Sequence, residues 1–295
     1  MFPVQYIEPV FRPPSEAHSF ILQVTNGCSW NQCTFCEMYT QPQKKFRARK
    51  DEDIRQDLER MRQAYPGVRR VFLADGDAMV LPVRRLKELL GLIRETFPEL
   101  ERVSSYCLPR NLNNKTVDDL AELKALGLDL LYVGVESGDD TVLTKVNKGE
   151  SYASSLAALG KIRDAGLRSS VMVLNGLGGR EYSKQHALES ARLMNEAQPD
   201  FLSTLVVSFP MGDARLKETY PEFELPDQRE LFEEMYLFLQ HLELNNTVFR
   251  SDHASNYLVL KGELGRDKAR MLAQLEQAIH RPEQVMLRPE WARGL

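Results

Sequence analysis

Short runs rich in β-branched and aromatic residues alternate along this chain with longer segments of helical period, from about residue 19 to residue 242. That alternation is the sequence mark of a parallel sheet assembled from βα units, because parallel neighbours need a crossover long enough to hold a helix. The first strand is expected over Ser19 to Thr25 and the second over Arg70 to Ala74. The third spans Arg102 to Cys107, the fourth Leu130 to Val135, the fifth Ser169 to Leu174 and the sixth Phe201 to Ser208. Between them, Leu86, Leu89, Leu90 and Ile93 form one apolar stripe after Pro82, and Thr116 with Asp119 makes a capping box. The last helix runs from Asp227 to Leu242. Six such units predict an α/β fold, a partial TIM-type (β/α)6 barrel with a C-terminal extension. The expected domains are an N-terminal extension (1–18), a barrel core (19–215), and a last barrel helix with an extension covering the barrel mouth (216–295). The Pro-rich stretch Phe209 to Pro226 is the candidate boundary.

In parallel barrels the reactive groups collect at the C-terminal strand ends, and the informative residues of this chain stand there. The first expected strand runs into Cys28, Cys33 and Cys36, with four residues between the first pair and two between the second. Three thiolates so spaced suit three irons of a [4Fe–4S] cluster and leave the fourth iron open to an exogenous ligand. A structural zinc site or a Cys-x-x-Cys redox couple is the competing reading. Zinc needs a further ligand pair, whereas the remaining Cys107 falls inside a strand and the five His are scattered. Asp75-Gly76-Asp77 ends the second strand, Glu136 the fourth, and Asn175-Gly176 the fifth. Together they describe a polar ligand site beside the thiols.

Composition narrows the classes further. A net charge of −4 argues against sequence-independent nucleic-acid binding. The N-terminus lacks a basic region followed by an apolar core, and no window approaches a membrane span, so a cytoplasmic protein with no membrane partner is expected. Fewer than 20 residues precede the first expected strand, and no second Cys cluster is present, which argues against accessory cofactors. The basic run Lys44 to Lys50 reads as solvated surface, with a patch over an anionic substrate as the sharper alternative.

With these residues in view, the chain resembles the radical S-adenosylmethionine (radical SAM) enzymes over about residues 19 to 210. It is similar to the subgroup containing the elongator catalytic subunit, the tRNA methylthiotransferases and the oxygen-independent coproporphyrinogen oxidases. It departs from the commonest pattern by one extra residue between the first two Cys. The resemblance implies that Cys28, Cys33 and Cys36 ligate the cluster while the methionyl group of SAM chelates the open iron. It further implies that Phe35 packs beside adenine, that Asp75, Gly76 and Asp77 receive the methionyl ammonium, and that Glu136 binds the ribose. Lys148 would face the SAM carboxylate, and Asn175 and Gly176 the adenine. The implied activity is reductive cleavage of SAM to a 5′-deoxyadenosyl radical that abstracts hydrogen from a small-molecule substrate. The electron would come from a donor such as flavodoxin or ferredoxin. An electron-transfer iron–sulfur protein and a zinc-stabilised barrel are the alternatives. The tail residues Arg250, His253 and Asn256, read from the sequence alone, are expected to lie across the barrel mouth and to serve substrate binding or shielding of the radical, with a structural capping role as the other reading of His253 and Asn256.

Overall fold

A computed structural model describes residues 3–294. In chain order its regular elements begin with β1 (Phe20–Gln23), β2 (Thr25–Asn26), β3 (Arg47–Ala48), α1 (Asp51–Ala64), β4 (Arg70–Ala74), α2 (Val83–Thr96), β5 (Arg102–Cys107) and α3 (Val117–Ala125). They continue with β6 (Leu128–Glu136), α4 (Asp140–Lys145), α5 (Tyr152–Asp164), β7 (Arg168–Asn175), α6 (Gly179–Ala197) and β8 (Phe201–Val206). The chain finishes with α7 (Ala214–Lys217), α8 (Gln228–His241), β9 (Val248–Ser251), β10 (Leu260–Glu263) and α9 (Lys268–His280). Eight strands follow the order β1-β4-β5-β6-β7-β8-β9-β10 in a mostly parallel sheet, and β2 pairs with β3 apart from it. The six expected strands are all present, within a few residues of their expected ends.

Two compact units divide the chain: residues 1–31, 36–133 and 158–169 form one, and residues 32–35, 134–157 and 170–295 the other. In the first, β4 lies parallel between β1 and β5, with Leu22 opposite Leu73 and Leu73 opposite Ser105. Val71, Phe72, Leu73 and Ala74 are all buried, as expected of a strand covered on both faces. The apolar stripe of α2 is buried at Leu86, Leu89, Leu90 and Ile93, and Thr116 caps α3 through the Asp119 amide.

In the second unit β7 and β8 run parallel, with Asn175 opposite Val206. The Pro-rich segment 209–226 is no boundary, because residues 170–295 stay in one unit. Leu216, Tyr220 and Phe223 of that segment pack with Val142, Val146, Leu174 and Leu177. The expected break at 215/216 therefore does not coincide with a unit boundary.

The tail requires a second correction. Residues 248–251 do not cross a barrel mouth but extend the sheet, β9 pairing parallel with β8 and antiparallel with β10. Strand β8 without them would be an unpaired edge, and that is the physical reason for the addition. Arg250 lies opposite Ser203, its guanidinium 5.2 Å from the Phe201 ring at the start of β8, far from the strand's C-terminal end. Only the following loop emerges at the C-terminal end. There Asn256 is buried, accepting from the Val206 amide at 2.9 Å and donating to the Thr204 carbonyl at 2.9 Å. The C-terminal segment clamps this loop: Arg288 donates to the carbonyls of His253, Ala254 and Asn256, and Arg293 to that of Ser255. The polar density of 252–256 is thus consumed in fastening the loop.

Helix α8 starts with a reciprocal capping box between Asp227 and Glu230. Asp227→Ala should cost about 1 kcal/mol, read as a lowered melting temperature in a thermal scan.

Candidate functional site

Position 28 follows a residue that only glycine fills easily. Gly27 has φ +70°, and a Cβ there would sit 1.9 Å from the Lys44 carbonyl oxygen, so the chain turns tightly into the Cys loop. Cys28, Cys33 and Cys36 are half-buried and free of disulfides, whereas Cys107 is buried in β5. Among the described residues, no three His, Cys, Asp or Glu side chains converge as they would on a single metal ion. The structure itself therefore does not close the three thiols into a metal site.

The end of β4 explains how the loop is held. Gly76 lies so close to it that an added Cβ would come 2.7 Å from the Cys28 Cα and 2.7 Å from the Gly27 carbonyl oxygen. Asp77, fully buried, accepts from the Ser29 amide at 2.8 Å, from the Ser29 hydroxyl, and from Asn111 at 3.0 Å. Burial pushes its carboxyl above the usual range, while the Ser29 and Asn111 hydrogen bonds pull the other way. Asp75 is equally buried, with Lys44 and Gln23 as partners of its Oδ2. Its Oδ1 has no hydrogen-bond partner. The carboxylates expected to meet an ammonium group are thus engaged largely within the chain, Asp77 as the anchor of the Cys loop and Asp75 as the counter-ion of Lys44.

Lys44 departs from the sequence expectation. It is fully buried, not solvated, and also donates to the Ile7 carbonyl at 2.9 Å. Arg49 of the same run pairs with Asp57 at 2.6 Å, while Lys45, Arg47 and Lys50 stay exposed. Beside the loop, the Arg110 guanidinium stacks 3.8 Å from the Trp30 ring centroid.

In the second unit Glu136 ends β6 with φ +68°, a left-handed conformation that is costly for a side-chain-bearing residue. Its Oε1 pairs with Lys148 Nζ at 3.1 Å, both side chains being almost completely buried, and its Oε2 is buried without a hydrogen-bond partner. Gly134 makes room: a Cβ there would lie 2.3 Å from Glu136 Oε1. Phe35 stands with its ring centroid 6.0 Å from Lys148 Nζ, so Phe35, Glu136 and Lys148 are brought together. Asn175 donates to the Leu231 carbonyl at 3.1 Å, and its Oδ1 is buried without a partner. The Gly176 amide donates to Glu234 Oε1 at 2.6 Å.

Sequence reasoning missed Asn111, Lys44, His186 and Glu234. Only His186 left a usable signal: with Ser183 and Ser190 it places polar groups at three- and four-residue steps beside the buried Ala187, Ala191 and Met194 of α6.

Two outcomes check this geometry. Lys44→Ala strands the buried Asp75 carboxylate and should cost about 3–5 kcal/mol in urea denaturation, whereas Lys44→Met with Asp75→Asn should recover most of that loss. His253, half-buried beside Arg288, has its pKa lowered by burial first and by that cation second. The unfolded chain then binds the proton more readily, so stability is lost as pH falls through about 6.5. His253→Gln should flatten the decline in melting temperature between neutral and mildly acidic pH.

Comparison with known proteins agrees with this arrangement of strands. The chain is 26% identical over 241 residues to the oxygen-independent coproporphyrinogen III oxidase of Paracoccus denitrificans, covering 75% of this chain and 50% of that protein. It is 28% identical over 156 residues to the hopanoid C-3 methylase of Methylococcus capsulatus, covering 52% of this chain and 28% of the relative. The chain thus spans half or less of the length of these relatives. Among solved structures, the coproporphyrinogen III oxidase of Escherichia coli superposes with a TM-score of 0.56 at 19% identity, over 75% of this chain and 52% of that one. The family model of the Radical SAM superfamily matches residues 22–219, about two thirds of the sequence, and the chain belongs to that superfamily.

Proposed function

We propose that this protein is a radical SAM enzyme acting on a small-molecule substrate, with Cys28, Cys33 and Cys36 as the ligands of a [4Fe–4S] cluster. The family's cofactors are such a cluster and SAM. When bound, they supply one-electron cleavage of SAM to methionine and a 5′-deoxyadenosyl radical, which abstracts hydrogen from substrate.

The observation that carries this reading is Glu136. A buried carboxylate with one oxygen unsatisfied, in a strained backbone conformation at a strand's C-terminal end, suits a ligand hydroxyl and has no evident structural purpose. The thiols fit the cluster as well: three are partly exposed, none is spent in a disulfide, and Gly76 keeps side-chain bulk away from Cys28. In this reading Asp77 holds the Cys loop through Ser29, and Phe35 offers an aromatic face to adenine. Lys148 turns one oxygen of Glu136 inward and leaves the other for ribose, and Lys148 is also the group placed to meet the SAM carboxylate. Asn175 Oδ1 is an acceptor for the adenine edge. The backbone at Gly76 receives the methionyl ammonium. A single-electron donor of the flavodoxin or ferredoxin class completes the scheme. No helix among the described residues is long and apolar enough to cross a membrane.

Anaerobic reconstitution tests the proposal. The protein should bind about four irons, show a reduced-state EPR signal perturbed by SAM, and release 5′-deoxyadenosine. Alanine at Cys28, Cys33 and Cys36 together should abolish the cluster, and Cys107→Ala should leave it. Glu136→Gln should keep the iron and weaken SAM binding roughly 10-fold or more. Zinc in place of iron after anaerobic expression would refute the reading.

A further inference from the structure

Two buried titratable groups of the second unit have no part in the scheme above. His186 on α6 and Glu234 on α8 are both almost completely buried, with Nε2 and Oε1 3.7 Å apart. Burial pushes the Glu234 carboxyl above its usual range, against the pull of His186, Ser183 and the Gly176 amide. Such a group is costly to keep in an apolar interior unless its hydrogen bonds are needed.

Those hydrogen bonds run to two places. The Ser137 hydroxyl accepts from the Asp139 amide at 3.0 Å, which leaves its proton for His186 Nδ1 at 2.8 Å. His186 Nε2 then carries the ring proton and donates to the Leu174 carbonyl at 3.0 Å. Glu234 accepts from the Gly176 amide through Oε1 and from Ser183, at 2.5 Å, through Oε2. One turn further along α6, Ser190 accepts from the Gly138 amide at 2.9 Å. The contacts made to β6 and β7 fall close to residues assigned to the nucleoside: Ser137 and Gly138 follow Glu136, while Leu174 and Gly176 flank Asn175. The turn packs closely against α8, since a Cβ at Gly176 would lie 2.8 Å from Leu231 Cδ2.

We infer that His186 and Glu234 are positioning residues that lock the C-terminal ends of β6 and β7 in one mutual setting, so that Glu136 and the Asn175–Gly176 turn engage the same nucleoside. This rests on the radical SAM reading of the site. Neither residue touches the ligand. Their effect is preorganisation, which raises affinity by removing ordering costs at the moment of binding.

The test uses the reconstituted protein and measures equilibrium binding of SAM and of 5′-deoxyadenosine, alongside the change that L-methionine alone makes to the cluster's EPR signal. His186→Ala and Glu234→Ala should raise the Kd of both nucleoside ligands about five- to thirty-fold and leave the methionine response intact. Glu234→Gln keeps an acceptor for Gly176 and should restore most of the affinity. Loss of the methionine response in step with nucleoside affinity would mark general damage and overturn the assignment. If an alanine variant does not fold, Ser137→Ala decides, because it removes the hydroxyl that links His186 Nδ1 and the Asp139 amide to the end of β6 and leaves both helices intact: weaker nucleoside binding with an intact methionine response supports the inference, and wild-type binding overturns it. Wild-type protein that holds iron yet does not bind SAM overturns the function reading and this inference with it. Binding that is weakened by Glu136→Gln but untouched in both alanine variants overturns this inference alone.

Discussion

Two carboxylates buried at the end of β4 govern the Cys loop of the first unit. Asp77 spends its acceptor capacity on Ser29 and Asn111, tying the loop at the residue after Cys28 to the segment that follows β5. Asp75 draws Lys44 out of a basic run and into the interior. A charge is expensive to bury alone and tolerable when paired and hydrogen-bonded. The pair therefore ties the segment around Lys44 to the strand end, and the Lys44 carbonyl in turn presses on Gly27 and shapes the entry to Cys28. The Cys loop is thus held at both sides, by Asp77 through Ser29 and by Lys44 against Gly27.

The six βα strands were legible because a parallel sheet covered on both faces demands near-continuous apolar runs, and Val71 to Ala74 is such a run. Strand β10 was not, and although Thr247 to Ser251 reads as a short extended piece, the pairing of β9 was not legible either. Four residues such as Leu260 to Glu263, half of them polar, carry no period strong enough to separate a strand from a loop, and their partner β9 is itself placed by the sequence-distant edge of β8. Asn256 shows the same limit: its polar side chain suits either a ligand or a structural cap in the sequence, and the structure gives it the second role, as a substitute ladder partner for β8.

The site was legible in kind and not in partnership. The positions of Cys28, Asp77, Glu136 and Asn175 at strand ends follow from topology, which sequence patterning gives. Whether a carboxylate is offered to a ligand or consumed internally depends on which distant side chain arrives beside it. For Asp75 that side chain is Lys44, 31 positions away. The sequence placed Lys44 in solvent because a run of basic residues usually lies there. Nothing in the run distinguishes the one lysine that turns inward from Lys45 and Lys50, which remain exposed.

Glu136 and Asp77 then separate two uses of a buried acid. Asp77 is satisfied by backbone, hydroxyl and amide donors, so its burial is repaid in structure. At Glu136 three unfavourable features coincide: a left-handed backbone, an unsatisfied buried oxygen, and an ion pair of the kind that apolar residues often replace without loss of stability. A fold optimised for stability alone would shed all three. Their concentration on one residue, with Gly134 cleared to admit its carboxylate, is the pattern expected where local rules are broken for a ligand. The rigid hydrogen-bonded network behind it, through Ser137 to His186, keeps that strained end from relaxing.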